Sequence, residues 1–184
     1  MRSKYSPRMV RVFIAVEPAK EIRERLEVAG MSLRGSTARL TLPTADQMHI
    51  TLKFLGEIPE VKIPKIAGAL EKVRGAPFQL QAARVSTFGR RVIKAEVTDQ
   101  SCCADIAKQI DGLLLPLGFP KEARPFSPHI TLARIKEYAP DLQEKTDALC
   151  DAEFGTCMIE EILLKQSTLT PRGSIYTTLA RVKL

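Results

Sequence analysis

Two copies of one tetrapeptide, His49-Ile50-Thr51-Leu52 and His129-Ile130-Thr131-Leu132, constrain this chain more than any other feature. They stand 80 residues apart (129 − 49), close to half of the 184-residue length, and they use both histidines of the chain. A motif repeated at that spacing predicts two related lobes, each contributing one copy. Each copy reads as part of a strand. Side chains alternate across a strand, so His and Thr share one face while Ile and Leu share the other. Two aliphatic side chains then anchor each copy in a core, and an imidazole stands beside a hydroxyl on the opposite face.

The flanking segments continue a rhythm of strand and helix. Residues 9–17 (MVRVFIAVE) alternate and are rich in Val and Ile, which predicts a strand. Pro18 opens a helix over 19–33, with Ile22, Leu26 and Ala29 at helical spacing. A short extended piece is expected at 38–42, a strand at 49–55 ending at Gly56, and an amphipathic helix over 64–73. Residues 78–88 and 92–97 read as antiparallel strands joined by Gly89-Arg90-Arg91. Further on, Ser101 is placed to cap a helix reaching about residue 115. Strands are expected at 129–135, 157–166 and 175–184, with a helix over 140–149. No linker rich in Gly, Ser or Pro divides the halves, so residues 1–184 are expected to form one interleaved domain. Strands that follow one another in pairs favour an α+β antiparallel arrangement over a parallel sheet.

Composition narrows the partners. The 28 Lys and Arg exceed the 21 Asp and Glu by seven, which favours an anionic partner, although a merely solvated surface explains the same surplus. Trp is absent and aromatic residues make up only 5% of the chain, too few for the stacking platforms that hold long single strands. Cys102, Cys103, Cys150 and Cys157 show no paired C-x-x-C spacing and read as buried, reduced thiols. The N-terminus carries Arg2, Lys4, Arg8 and Arg11, but the apolar run 12–16 is too short for a signal segment. No stretch reaches the length of a membrane span, and a soluble, cytoplasmic protein is expected.

Two His–Thr strands facing across a cleft would surround a small anion with two imidazoles and two hydroxyls. Displacement at phosphorus places the attacking and leaving oxygens on opposite sides, so a base is needed on one side and an acid on the other. Histidine fills either role near neutral pH. The hydroxyls are suited to the non-bridging oxygens. A single His-x-Thr is uninformative, and a strand histidine is usually structural; two copies that take every histidine are harder to explain that way. A zinc site is a further alternative, but no acidic or Cys residue stands at short ligand spacing from either histidine.

The doubled His-x-Thr motif resembles that of the 2H phosphoesterase superfamily, and its wording is similar to the RNA 2′,3′-cyclic phosphodiesterase branch, also described as 2′-5′ RNA ligase. The resemblance covers nearly the whole chain: RVFIAVEP at 11–18, HITLKFLGE at 49–57, FSPHITLAR at 126–134, and a closing stretch from Ser167-Thr168-Leu169 through Gly173 to Tyr176. It implies two pseudo-symmetric lobes of antiparallel sheet plus helices around a central cleft. It also implies hydrolysis of a 2′,3′-cyclic phosphate to a 2′-phosphomonoester with no required metal, and no other cofactor is expected. Carried over by position, His49 resembles the proton donor, His129 the proton acceptor, and Thr51 and Thr131 the phosphate-binding hydroxyls. The residues themselves do not distinguish the two histidines.

Weaker candidates flank the motifs. Lys53 shares the face of His49 and Thr51 by alternation, and so points toward phosphate or RNA backbone. Arg134, three places after Thr131, faces away unless the strand bends, but matches an Arg common after this motif in the family. Tyr176 and Phe54 are the rings that could stack on a terminal base, with core packing the expected role of Phe54. Arg90-Arg91 is an ordinary charged turn that could also meet RNA. The expected partner is RNA ending in a 2′,3′-cyclic phosphate, such as a tRNA fragment, or a small cyclic nucleotide. The same residues would serve a 2′-5′ ligase, and a non-catalytic RNA-end or nucleotide-binding module is the alternative from another class.

Overall fold

The computed structural model describes residues 7–171 and 173–184; Arg2 and Lys4 lie outside these. Among the described residues, nine strands form two sheets in which every neighbouring pair is antiparallel. The strands are β1 (Met9–Val16), β2 (Arg39–Thr41), β3 (Ile50–Pro59), β4 (Phe78–Phe88), β5 (Val92–Thr98), β6 (His129–Glu137), β7 (Glu153–Ile159), β8 (Glu161–Thr170) and β9 (Gly173–Lys183). The first sheet runs β3-β1-β8-β9 and the second β2-β6-β5-β4-β7. The helices are α1 (Lys20–Ser32), α2 (Ile63–Leu70), α3 (Cys102–Leu114) and α4 (Asp141–Asp147). This is the α+β, two-lobed architecture that the repeat and the resemblance imply.

The helices exchange lobes. After β1 of the first sheet, α1 packs on β6 and β7 of the second; after β5 of the second, α3 packs on β3 of the first. The predicted stripe Ile22, Leu26 and Ala29 is the buried face of α1. A Cβ on Gly30 would stand 3.3 Å from the Leu132 carbonyl, so this glycine permits the close approach of α1 to β6.

Several expectations are corrected. The region predicted as one strand over 157–166 is two strands in different sheets, β7 and β8, broken at Glu160. β3 continues past Gly56 to Pro59, because Gly56 adopts φ +74° beside a bulge rather than ending the strand. Ser101 does not cap α3 with its side chain; buried Asp99 does, accepting from the Ser101 and Cys103 amides at 3.1 and 2.8 Å. Only Cys103 is fully buried, and Cys150 is exposed.

Bulges at matching places decide the face of the residues after each motif. Across β1 and β3, Ala15 opposes Thr51 and Ile14 opposes Lys53, leaving Leu52 as the extra residue. Across β5 and β6, Lys94 opposes Thr131 and Ile93 opposes Ala133, leaving Leu132 extra. Directly opposed residues share a face. Lys53 therefore joins Ile14 on the side of the helix-covered core, not the face of Thr51. The same one-residue slip returns Arg134 to the face of Thr131.

Candidate active site

β3 and β6 approach one another between the two sheets, and their motifs open on one cleft. Ile50, Leu52, Ile130 and Leu132 are buried as the strand pattern requires, each contributing roughly 1.5–3 kcal/mol to holding its strand in place. His49, Thr51, His129 and Thr131 all line a cavity of about 810 Å³. His49 immediately precedes β3, and His129 opens β6.

Both imidazoles are anchored alike. His49 Nδ1 lies 2.7 Å from the Gln47 carbonyl, and His129 Nδ1 lies 2.8 Å from the Ser127 carbonyl, in each case two residues upstream. A carbonyl only accepts, so Nδ1 carries the hydrogen and donates. That leaves Nε2 as the working nitrogen of each ring. His49 Nε2 is 3.0 Å from the Thr51 hydroxyl, which donates to it when the ring is neutral. The His49 ring lies against Phe13, with centroids 4.7 Å apart, and edge-on to Tyr176 at 5.3 Å.

The weaker candidates separate. Tyr176 and Arg134 line the cavity. Lys53 stands at its wall, but its ammonium is committed to Asp111 of α3 and, at 2.7 Å, to the Pro120 carbonyl, so it is spoken for by the core. Phe54 is not a core residue: the bulge turns it outward, 65% exposed, at the cavity rim. Arg90 and Arg91 are absent from the lining, and Arg90 stacks over Tyr138 at 4.6 Å.

The sequence model of the LigT-like phosphoesterases matches residues 16–98 and 100–176, two consecutive stretches that each hold one His-Ile-Thr-Leu. The chain belongs to the LigT-like phosphoesterase family. Among its relatives, an RNA 2′,3′-cyclic phosphodiesterase of Archaeoglobus fulgidus is 31% identical over 92% of this chain and 98% of the relative. One of Methanocaldococcus jannaschii is 32% identical over 91% and 96%. A crystal structure of a Thermus thermophilus protein superposes with a TM-score of 0.80 at 29% identity, covering 95% of this chain and 97% of the other.

In this LigT-like phosphoesterase the surroundings of His49 disfavour its protonated form. Burial, partly offset by the bond to the Gln47 carbonyl, lowers the His49 pKa to about 4; Lys165 and Arg134 push the same way and Glu17 opposes them. The folded protein therefore refuses a proton that the unfolded chain accepts between about pH 6.5 and 4. Stability falls as pH drops through that window. Tm measured at pH 7 and pH 4.5 should accordingly fall less in His49→Gln than in the parent.

Sequence reasoning missed three supports of His49. Gln47 supplies its carbonyl anchor and, through Nε2, donates to the Ser174 carbonyl at 2.6 Å, fastening the β8–β9 hairpin to the motif. Phe13 forms the floor beneath the ring. Buried Lys165, ion-paired with Glu17, opposes Phe13 across β1 and β8. None carries a local pattern. The Gln47–Ser174 bond, the Phe13 floor and the Lys165 pairing all join segments far apart in the chain.

Proposed function

We propose that this chain opens RNA 2′,3′-cyclic phosphates to 2′-phosphomonoesters by metal-independent acid–base catalysis, with His49 and His129 moving the protons. One observation carries the reading: both histidines of the chain, anchored identically through Nδ1, line one cleft, each with the threonine of its own motif. The relatives that act on RNA 2′,3′-cyclic phosphates support the substrate class. Among the described residues no three His, Cys, Asp or Glu side chains converge as a metal-binding group.

In this mechanism, water attacks phosphorus in line with the P–O3′ bond. His129 Nε2 takes the water proton, the bond to O3′ breaks, and His49 Nε2–H protonates the departing oxygen. The Thr51 and Thr131 hydroxyls donate to the non-bridging oxygens, and Arg134 balances their charge. Burial holds His49 neutral in the free protein at neutral pH, so its role as donor depends on the arriving phosphate anion favouring the imidazolium. Once His49 is protonated, the Thr51 hydroxyl no longer donates to Nε2 and its hydrogen turns to the phosphate, which leaves Nε2–H for O3′. Tyr176, already edge-on to His49, borders the position of the terminal nucleoside.

The decisive experiment is product analysis of an RNA oligonucleotide bearing a 2′,3′-cyclic phosphate, in EDTA, with and without a 5′-hydroxyl RNA acceptor. A 2′-phosphate product is expected. Absence of turnover in EDTA, or joined RNA as the main product, overturns the reading. Thr51→Ala and Thr131→Ala should each cost about 2–4 kcal/mol of transition-state stabilisation, read from kcat/KM.

A further inference from the structure

The two motifs are equivalent through their bulges, yet the residues just beyond them differ in kind. Five places after each histidine stand Phe54 and Arg134; seven places after stand Gly56 and Lys136. The bulges at Leu52 and Leu132 put Phe54 and Arg134 at matching positions on the cleft face. One rim is consequently aromatic, with Phe54 beside Phe13 at 6.2 Å between centroids. The other is basic, with Arg134 and Lys136 of β6 joined in the cavity lining by Arg124 from the preceding loop.

Arg124, Arg134 and Lys136 are exposed, and among the described residues none has a carboxylate within 4 Å. Among the described residues, Glu122 is the single carboxylate in the lining, against these three cations. Arg134 lines the same cavity as both histidines and shares the face of Thr131, on the side where the reacting phosphate would lie. Lys136, the extra residue where β6 bulges against Arg39 and Leu40 of β2, lies farther along the strand and lines the same cavity. One cyclic phosphate carries a single negative charge and has no use for the farther cations.

We propose that Lys136 and Arg124 form a subsite for the phosphate one nucleotide upstream of the reacting group, so that the protein selects oligonucleotide ends over cyclic mononucleotides. This rests on the reaction proposed above. Polarity across the cleft follows: the terminal nucleoside lies toward the aromatic rim, and the chain leaves over β6.

The test compares kcat/KM for a 2′,3′-cyclic mononucleotide, a dinucleotide ending in that nucleotide, and the same dinucleotide with an uncharged methylphosphonate linkage. The native dinucleotide should be favoured about tenfold over both others, as one lost charge-assisted contact predicts. The preference should weaken with added salt. In Lys136→Ala/Arg124→Ala the ratio of dinucleotide to mononucleotide should fall toward one. Equal turnover of native and methylphosphonate dinucleotides overturns the subsite alone. Turnover of none of the three overturns the proposed reaction, and the subsite with it.

Discussion

Replacing either histidine, as His49→Ala or His129→Ala, is expected to lower kcat/KM on a 2′,3′-cyclic phosphate by roughly 10²–10⁴-fold. Both substitutions remove an Nε2 that borders the cleft, and both leave the buried Ile and Leu of the motif to hold the strand. The two losses should not add, because acid and base act on one displacement, and a double variant should be little worse than the poorer single one. A substrate with sulfur in place of O3′ separates the roles. A thiolate departs without protonation, so the variant lacking the donor recovers on it and the variant lacking the acceptor does not. Recovery is expected for His49→Ala. Recovery of His129→Ala instead would reverse the assignment, and full activity in either variant on the oxygen substrate would remove that histidine from the mechanism.

The second large effect is on stability. Asp111→Ala strands the Lys53 ammonium, whose side chain is only 6% exposed, without its carboxylate. Breaking a buried pair from one side costs about 3–5 kcal/mol, a fall in Tm of roughly 10 °C for a chain of this size. The Pro120 carbonyl softens the loss only in part, since it supplies a dipole and not a charge. Removing both charges, as Lys53→Met/Asp111→Leu, should restore most of the stability. Denaturant unfolding monitored by circular dichroism reads both. A lysine engaged with substrate phosphate would behave otherwise: its loss would lower kcat/KM and leave Tm nearly unchanged.

Lys53 and Arg134 mark where the reading from sequence was sound and where it ran out. Alternation from His49 correctly placed Thr51 on the cleft face and Ile50 and Leu52 in the core, because those residues precede or form the bulge. Counting onward, it turned Lys53 into the cleft and Phe54 into the core, the reverse of what the bulge produces. Nothing in HITLKF or HITLAR announces the extra residue. It arises where β3 must pair with β1, and β6 with β5, while helices press from behind, α1 closely enough to β6 to need Gly30. The Ser101 expectation failed in the same manner: a capping residue stood at the right place, but Asp99, two positions earlier, reaches both amides.

What the amino-acid order determined by itself was the pair of His–Thr units, their aliphatic anchors, the antiparallel strands and the α+β class. These depend on periodicity and repetition, which are local properties of a chain. Tertiary structure alone decided the exchange of helices between lobes, the burial that lowers His49, and which residue beyond each motif meets the cleft. Those outcomes depend on the pairing and packing of segments far apart in the chain, and one bulged residue is enough to reverse every face that follows it.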